Sequence, residues 1–328
     1  MSSMLVTPGA YELLRNAKRV ALINHASPDS DCVGGIMATT HALRSLGKVA
    51  FPFSPDQIPD YLLHVPGSHE IEAAVTSLPD VDLIVTIECP TLERLDPIWS
   101  NARAQLESIP ILNIDHHVSN TGYGTERIFD PIAASICEVL FRVFNALPCP
   151  IDSTIAYCLL TGVIGDTRSF RTSGTTAETL STAGALIAAG APLAEVSDAV
   201  SKYRTAAELP VWSAVLARVQ CVDDVLWTHV TDEDAAVHGL RIDQIDGIVE
   251  FLSDTRDVGV SVVFKRNAAG RIRISMRSDG RVDLTKIAAI WGGGGHPRAS
   301  GCTITDMSLA EAEKVVVETL REALRGGK

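Results

Sequence analysis

Along the first half of the chain, short apolar runs alternate with stretches of helical periodicity. Positions 20–23 form a buried strand, followed by the polar segment 24–31 and a helix over about 32–46, with Gly47 as its stop. Positions 83–87 are a second strand, again followed by polar residues and a proline. A third strand, 111–114, runs straight into Asp115, His116 and His117. Helices fit positions 133–144 and 154–163, the latter just ahead of Gly165 and Asp166. Strands alternating with helices imply an α/β fold with a parallel sheet and helices on both faces. Ligands of such sheets bind beyond the carboxyl ends of the strands. The polar clusters at 24–31, 88 and 115–117 all follow strands, so architecture and chemistry point to one edge.

The pattern weakens near Gly190, Pro192 and Pro210. The expected organisation is therefore an N-terminal domain over 1–190, a linker over 191–210 and a smaller α/β domain over 211–328. In the last, 225–230, 258–264 and 272–276 read as strands, 242–252 and 309–324 as helices, and 265–271 (KRNAAGR) as a hairpin turn. A glycine-rich segment spans 292–295, and there is no internal repeat.

Charge narrows the ligand class. The formal net charge is −12. Proteins that grip long nucleic acid usually carry a basic stripe that releases counterions from phosphates. Small phosphorylated ligands are the better expectation. Seven scattered cysteines without a C-x-x-C pair suggest buried, reduced thiols and a cytoplasmic protein, with neither a disulfide framework nor a structural zinc site. The opening MSSMLVTPGAYELLRNAKRV has no long apolar stretch and reads as no signal peptide, and no run suits a membrane span.

The candidate chemistry sits in the polar clusters. His25, Asp29 and Asp31 fall within one seven-residue loop, either as metal ligands or with the aspartates capping the following helix. An extended backbone would send Asp29 and Asp31 to opposite sides, so a turn at Pro28 or two separate ions is implied. An adjacent histidine pair after a strand is unusual, because buried imidazoles need partners. Asp166 adds a carboxylate or, alone, a helix cap. Together the clusters hold carboxylates and imidazoles without a thiolate, a donor set that suits manganese, iron or magnesium. Two ions about 4 Å apart stabilise both attacking and leaving oxygens at phosphorus. Without cations, carboxylates placed so close would raise one another's pKa values.

These residues resemble the DHH phosphoesterase family. The match rests on HASPDSD at 25–31, DHH at 115–117, the aspartate of GVIGDT at 162–167 and GGGGHPRASG at 292–301. The last is similar to the signature of the DHH-associated C-terminal domain of RecJ-like exonucleases and nano-RNA phosphodiesterases. The resemblance implies that His25 and Asp29 bind one manganese, and that Asp31, His116 and Asp166 bind the other, with magnesium or cobalt as substitutes. Asp115 would orient an imidazole and His117 would face the substrate phosphate. Gly293, Gly294 and Gly295 would let the backbone approach a nucleotide, with His296, Arg298, Arg277 and Ser278 as further contacts. One departure stands out: the family's bridging aspartate is here Glu88, which keeps the carboxylate and adds a methylene. Arg168 stands where the family often has glycine, either touching phosphate or facing solvent. His41, His64, His69, His229 and His238 read as structural or surface residues, and Asp279 and Asp283 as turn and cap residues.

The expected function is manganese-dependent hydrolysis of short oligoribonucleotides or linear dinucleotides to mononucleotides, with 3′-phosphoadenosine 5′-phosphate and cyclic di-AMP within the substrate class. The C-terminal domain would close over the substrate. A homodimer is expected by resemblance, and neither long nucleic acid nor a membrane is an expected partner. The rival readings are a manganese pyrophosphatase, which the GGGGH segment opposes, and a nucleotide-binding sensor without turnover, which Glu88 favours.

Overall fold

The computed structural model describes residues 6–201 and 204–326. Residues 1–5, which open the segment read as no signal peptide, and residues 202–203 of the expected linker lie outside the described residues. The chain divides into two compact units, Met1–Tyr203 and Arg204–Lys328.

The first unit is built on a parallel sheet of β1 (Arg19–Ile23), β2 (Val49–Ser54), β3 (Glu72–Ala73), β4 (Leu83–Ile87), β5 (Ile111–Asp115) and β6 (Glu126–Phe129), in the order β3-β2-β1-β4-β5-β6. Its helices are α1 (Pro8–Asn16), α2 (Ser30–Ser45), α3 (Ile98–Asn101), α4 (Arg103–Ser108), α5 (Ile136–Ala146), α6 (Ser153–Asp166), α7 (Ala177–Ala188) and α8 (Leu193–Ser201). Side chains alternate across a strand, so β1 feeds two cores. Val20 and Leu22 pack with residues of α1, α2, α5 and α6, whereas Ala21 and Ile23 pack with Ile98 of α3 and Leu106 of α4. The expected α/β class with helices on both faces is what the structure has. The order reverses at β1, where β2 and β4 flank it, which is the switch point at which such sheets bind ligands.

The second unit has a mixed sheet, β11-β12-β10-β9-β8-β7, formed by β7 (Gln220–Val222), β8 (Val225–Thr231), β9 (Val260–Arg266), β10 (Ile272–Ser278), β11 (Gly294–His296) and β12 (Ala299–Ile304). Its helices are α9 (Leu209–Ala217), α10 (Asp232–Ala236), α11 (Ile248–Ser253), α12 (Leu284–Ala289) and α13 (Leu309–Gly326). Ile272, Ile274 and Met276 of β10 enter the core under α12 and α13, which turns Arg273, Ser275 and Arg277 to the opposite, half-exposed face.

Several expected elements are corrected. The helix read over 242–252 is a 3-10 turn, Ile242–Gln244, and then α11, parted by Gly247 at φ 80°. The expected linker 191–210 holds α8, the 3-10 turn Ala206–Glu208 and the start of α9. The glycine-rich segment enters a short hairpin strand at Gly294, which pairs with Gly301, and His296 pairs with Ala299. Six cysteines are buried, but Cys221 is exposed.

Candidate metal centre

The chain leaves β1 at Asn24 and turns through Ser27, at φ 59°, into α2. Asp29 is the N-cap of that helix: its Oδ1 accepts the backbone N–H groups of Asp31 and Cys32 at 3.1 Å each. Its Oδ2 lies 3.8 Å from His25 Nε2. The cap role therefore occupies one carboxylate oxygen and leaves the other turned toward His25. Because α2 has already begun at Ser30, Asp31 is not thrown to the far side as in an extended chain. It is buried, and its two oxygens accept N–H from Ile136 (2.6 Å) and Cys137 (3.2 Å) at the start of α5, where the unpaired amides of a helix N-terminus favour an anion.

Glu88 follows β4 with φ 58° and continues the ladder, its N–H donating to the Ile114 carbonyl at 2.9 Å. Its side chain is 3% exposed. Oε2 lies 3.9 Å from His25 Nε2, and Oε1 lies 3.9 Å from His116 Nε2. The carboxylate thus presents one oxygen to each imidazole.

Asp115, at the end of β5, organises the histidine pair. Its Oδ1 accepts the backbone N–H of His116 and His117 and lies 2.8 Å from His117 Nδ1, while Oδ2 accepts Asn120 Nδ2 at 2.6 Å. His116 Nδ1 is 3.0 Å from the Ala133 carbonyl. A carbonyl only accepts, so Nδ1 carries a proton and Nε2 is the ring nitrogen that faces the carboxylates. That atom lies 4.0 Å from Asp31 Oδ2 and 3.8 Å from Asp166 Oδ2. Asp166 is the last residue of α6, so a helix end and not a strand end delivers it. The three residues after Thr167, Arg168 to Phe170, all have positive φ (49°, 59° and 65°), and strain of this kind gathers at functional sites.

Three sets of donor atoms could hold a cation: His25, Asp29, Cys32 and Glu88; Glu88, His116 and His117; and Asp31, His116 and Asp166. The electrostatics fit. Burial first, then Asp29, Asp31, Asp166 and Asp115, push the Glu88 carboxyl well above its ordinary range. Burial and Asp29 likewise raise Asp31 against the pull of His116. Asp166 is held up to about 8 by desolvation and then by Asp31, although its side chain keeps 37% of its exposure at the rim; the direction rests on the crowding of acids. Burial works to lower His116, but Asp166 and Asp31 overcome it and raise that pKa. Burial lowers His25. Of these carboxylates Asp115 alone is lowered: burial works to raise it, but the hydrogen bonds and charge of His117 and the hydrogen bond from Asn120 outweigh that. Glu88 Oε2 and His116 Nε2 are buried without any hydrogen-bond partner. Buried polar atoms left so are costly; a divalent cation on the His25 side would satisfy the first, and one on the Asp31–Asp166 side the second.

Three residues that the sequence reading passed over belong here. Cys32 joins the first donor set, Asn120 fixes Asp115, and Arg94 donates to the Ala26 carbonyl with its Nη2 2.6 Å from His25 Nδ1. Only the helix turn that folds Cys32 back over Asp29 reveals the first. The histidines set aside as structural make ordinary contacts: His41 with the Pro66 carbonyl, His64 with the Tyr157 hydroxyl and His229 with Glu313.

In the second unit, Arg277 pairs with Glu250 at 2.5 Å, and Ser278 Oγ accepts the Gly280 N–H. His296 and Arg298 are exposed beside the β11–β12 turn. A Cβ on Gly293 would stand 2.2 Å from the Gly301 carbonyl, and one on Gly295, at φ 140°, 2.5 Å from that of Ala299. Those two glycines serve the hairpin itself. Gly294 has open space around its Cα.

The DHH family N-terminal domain matches residues 19–163, and the DHHA1 domain matches residues 235–326. The bifunctional oligoribonuclease and PAP phosphatase NrnA of Thermus thermophilus is 29% identical over 93% of this chain and 90% of its own length. The Bacillus subtilis protein of the same description is 25% identical over 92% and 94%. The cyclic-di-AMP phosphodiesterase GdpP of Geobacillus thermodenitrificans is 25% identical over 99% of this chain, which spans 50% of that relative. Among solved structures, an exopolyphosphatase-related protein of Bacteroides fragilis superposes with a TM-score of 0.89 at 22% identity, covering 98% of this chain and 99% of that one, a likeness of fold.

Proposed function

Because the chain belongs to the DHH family and carries a C-terminal DHHA1 domain, we propose that it hydrolyses phosphoester bonds in short oligoribonucleotides or linear dinucleotides, releasing mononucleotides. The observation that carries this reading is Glu88, which turns one carboxylate oxygen to each of two imidazole–carboxylate groups. His25, Asp29 and Glu88 would hold one divalent cation, and Asp31, His116, Asp166 and Glu88 a second, with manganese the metal favoured by these oxygen and nitrogen donors. Bound there, the cations supply Lewis acidity that activates water and neutralises charge growing on the phosphoryl oxygens.

The chain's own residues do the positioning. The α5 amides hold Asp31 in one orientation, and the Ala133 carbonyl fixes the tautomer of His116. Asp115 clamps His117, which faces the substrate phosphate in this reading. Nucleotide recognition falls to Gly294, His296, Arg298, Arg277 and Ser278 of the DHHA1 domain. The net charge of −12 favours short substrates over long strands. Relatives named as oligoribonuclease and PAP phosphatase align over nine-tenths of their length, so linear oligoribonucleotides and 3′-phosphoadenosine 5′-phosphate rank ahead of cyclic di-AMP. A cytoplasmic homodimer completes the proposal; among the described residues no single helix is long and apolar enough to cross a membrane.

The test is mononucleotide release from a labelled RNA dinucleotide and from a long single-stranded RNA, each with manganese and with chelator. Manganese-dependent cleavage that prefers the dinucleotide is expected. Preference for the long strand would reverse the substrate assignment. Binding of the dinucleotide without cleavage of either would mark a nucleotide-binding protein without turnover.

A further inference from the structure

The two cation positions differ in one donor. Around His25, Asp29 and Glu88 stands a fourth group, Cys32, and the four donor atoms lie within 4.8 Å of one another. The set of Asp31, His116 and Asp166 has no sulfur. Metal–nitrogen and metal–sulfur bonds of about 2.0 and 2.3 Å put the donors of a tetrahedral ion roughly 3.5 Å apart, so donors within 4.8 Å of one another need contract by at most about 1.3 Å.

Helix capping alone does not account for the sulfur. Cys32 occupies the third helical position after the Asp29 cap, where a polar side chain commonly accepts the N–H of the cap residue. A hydroxyl or carboxylate accepts better than a thiol. Here Sγ accepts two N–H groups, from Asn24 Nδ2 and from the Asp29 backbone, at 3.2 Å each. Its own proton has only the Asp29 carbonyl, at 3.5 Å. N–H donors converging on a sulfur are the outer contacts that support a metal-bound thiolate. Independently, the Glu88 oxygen that faces this donor set is buried and lacks a partner.

We propose that Cys32 is a fourth ligand to the cation held by His25, Asp29 and Glu88, and that its sulfur makes this position prefer a thiophilic divalent ion such as zinc over manganese. The position formed by Asp31, His116 and Asp166, with nitrogen and oxygen donors only, keeps the preference for harder ions. Soft thiolates favour zinc, whereas carboxylates suit manganese and magnesium. On coordination the thiol proton leaves to water. The inference rests on the two-cation reading above and narrows its choice of metal: manganese keeps the Asp31–His116–Asp166 position, and the softer ion takes this one.

The experiment is titration of the metal-free full-length chain with Co2+, followed by absorption spectroscopy with calorimetric stoichiometry, on wild type and Cys32→Ser. A near-ultraviolet sulfur-to-cobalt charge-transfer band is expected in wild type and not in Cys32→Ser, with two ions bound by each. In competition, Cys32→Ser is expected to lose about tenfold or more in Cd2+ affinity while Mn2+ affinity stays within about threefold. Two bound ions without the band in wild type, or a band that persists in Cys32→Ser, overturns the assignment and leaves the two-cation reading standing. Fewer than two ions bound by wild type overturns both.

Discussion

Glu88 concentrates the conflict between stability and chemistry in one side chain. A neutral carboxyl is tolerable in a buried pit ringed by Asp29, Asp31, Asp166 and Asp115, but an ionised one is costly unless cations stand beside it. Glu88→Gln keeps the shape and removes the charge. The metal-free variant should melt a few degrees above metal-free wild type at pH 8, whereas manganese should stabilise it less and turnover should fall at least a hundredfold. Calorimetric melting with and without manganese, beside the dinucleotide assay, checks this; a variant that melts below wild type when metal-free refutes the account of a strained acid cluster. At this scale the sequence is eloquent about His25, Asp29, Asp31, Asp115, His116 and Asp166, because loop acids and imidazoles after apolar runs have few other reasons to gather. It is silent about Cys32, Arg94 and Asn120. Their places depend on a helix turn, on the 3-10 turn Leu92–Leu95 and on the path of the chain after His117, none of which leaves a periodic trace.

Elements were legible in proportion to their burial. The strands β4 and β5 are buried throughout and stand within a residue of their sequence-based bounds. Of the missed strands, three are of another kind: β2 carries Pro52, β3 is two residues long, and β11 is two glycines and a histidine. None offers an alternating apolar pattern, and their register comes from partners far away in sequence. The β11–β12 hairpin makes a prediction that separates fold from recognition within a single glycine run. Gly295→Ala places a Cβ against the Ala299 carbonyl in a backbone region closed to other residues, so it should lower the melting temperature. Gly294→Ala meets open space and should leave melting unchanged while raising KM for the dinucleotide severalfold. Equal KM for Gly294→Ala and wild type would remove that backbone from the nucleotide contact.

For the whole molecule, the acid cluster sets how stability depends on pH and metal. Glu88 and Asp31 have folded-state pKa values above their unfolded ones, near 4, and Asp166 is held up to about 8. The metal-free folded chain therefore binds more protons than the unfolded chain, and its stability falls as pH rises. His116, also raised, contributes stability below its unfolded value of about 6.5 and loses it above, in the same direction. His25 opposes this trend, because its lowered pKa makes the unfolded state the better proton binder, but only below about 6.5. Between pH ~7 and ~8 the Asp166 effect remains, so metal-free protein should melt at lower temperature as the pH is raised across that window. Manganese takes the place of those protons, so its stabilisation should grow over the same window and its binding should release protons. The hydrophobic clusters around the site draw only on the first unit, and those of the DHHA1 domain only on the second. Where calorimetry resolves two transitions, manganese and pH should move the one belonging to the metal-binding unit and leave the other in place. A metal-free melting temperature that rises from pH 7 to 8, or a manganese shift shared equally by both transitions, would contradict the assignment of the buried acids to a cation site.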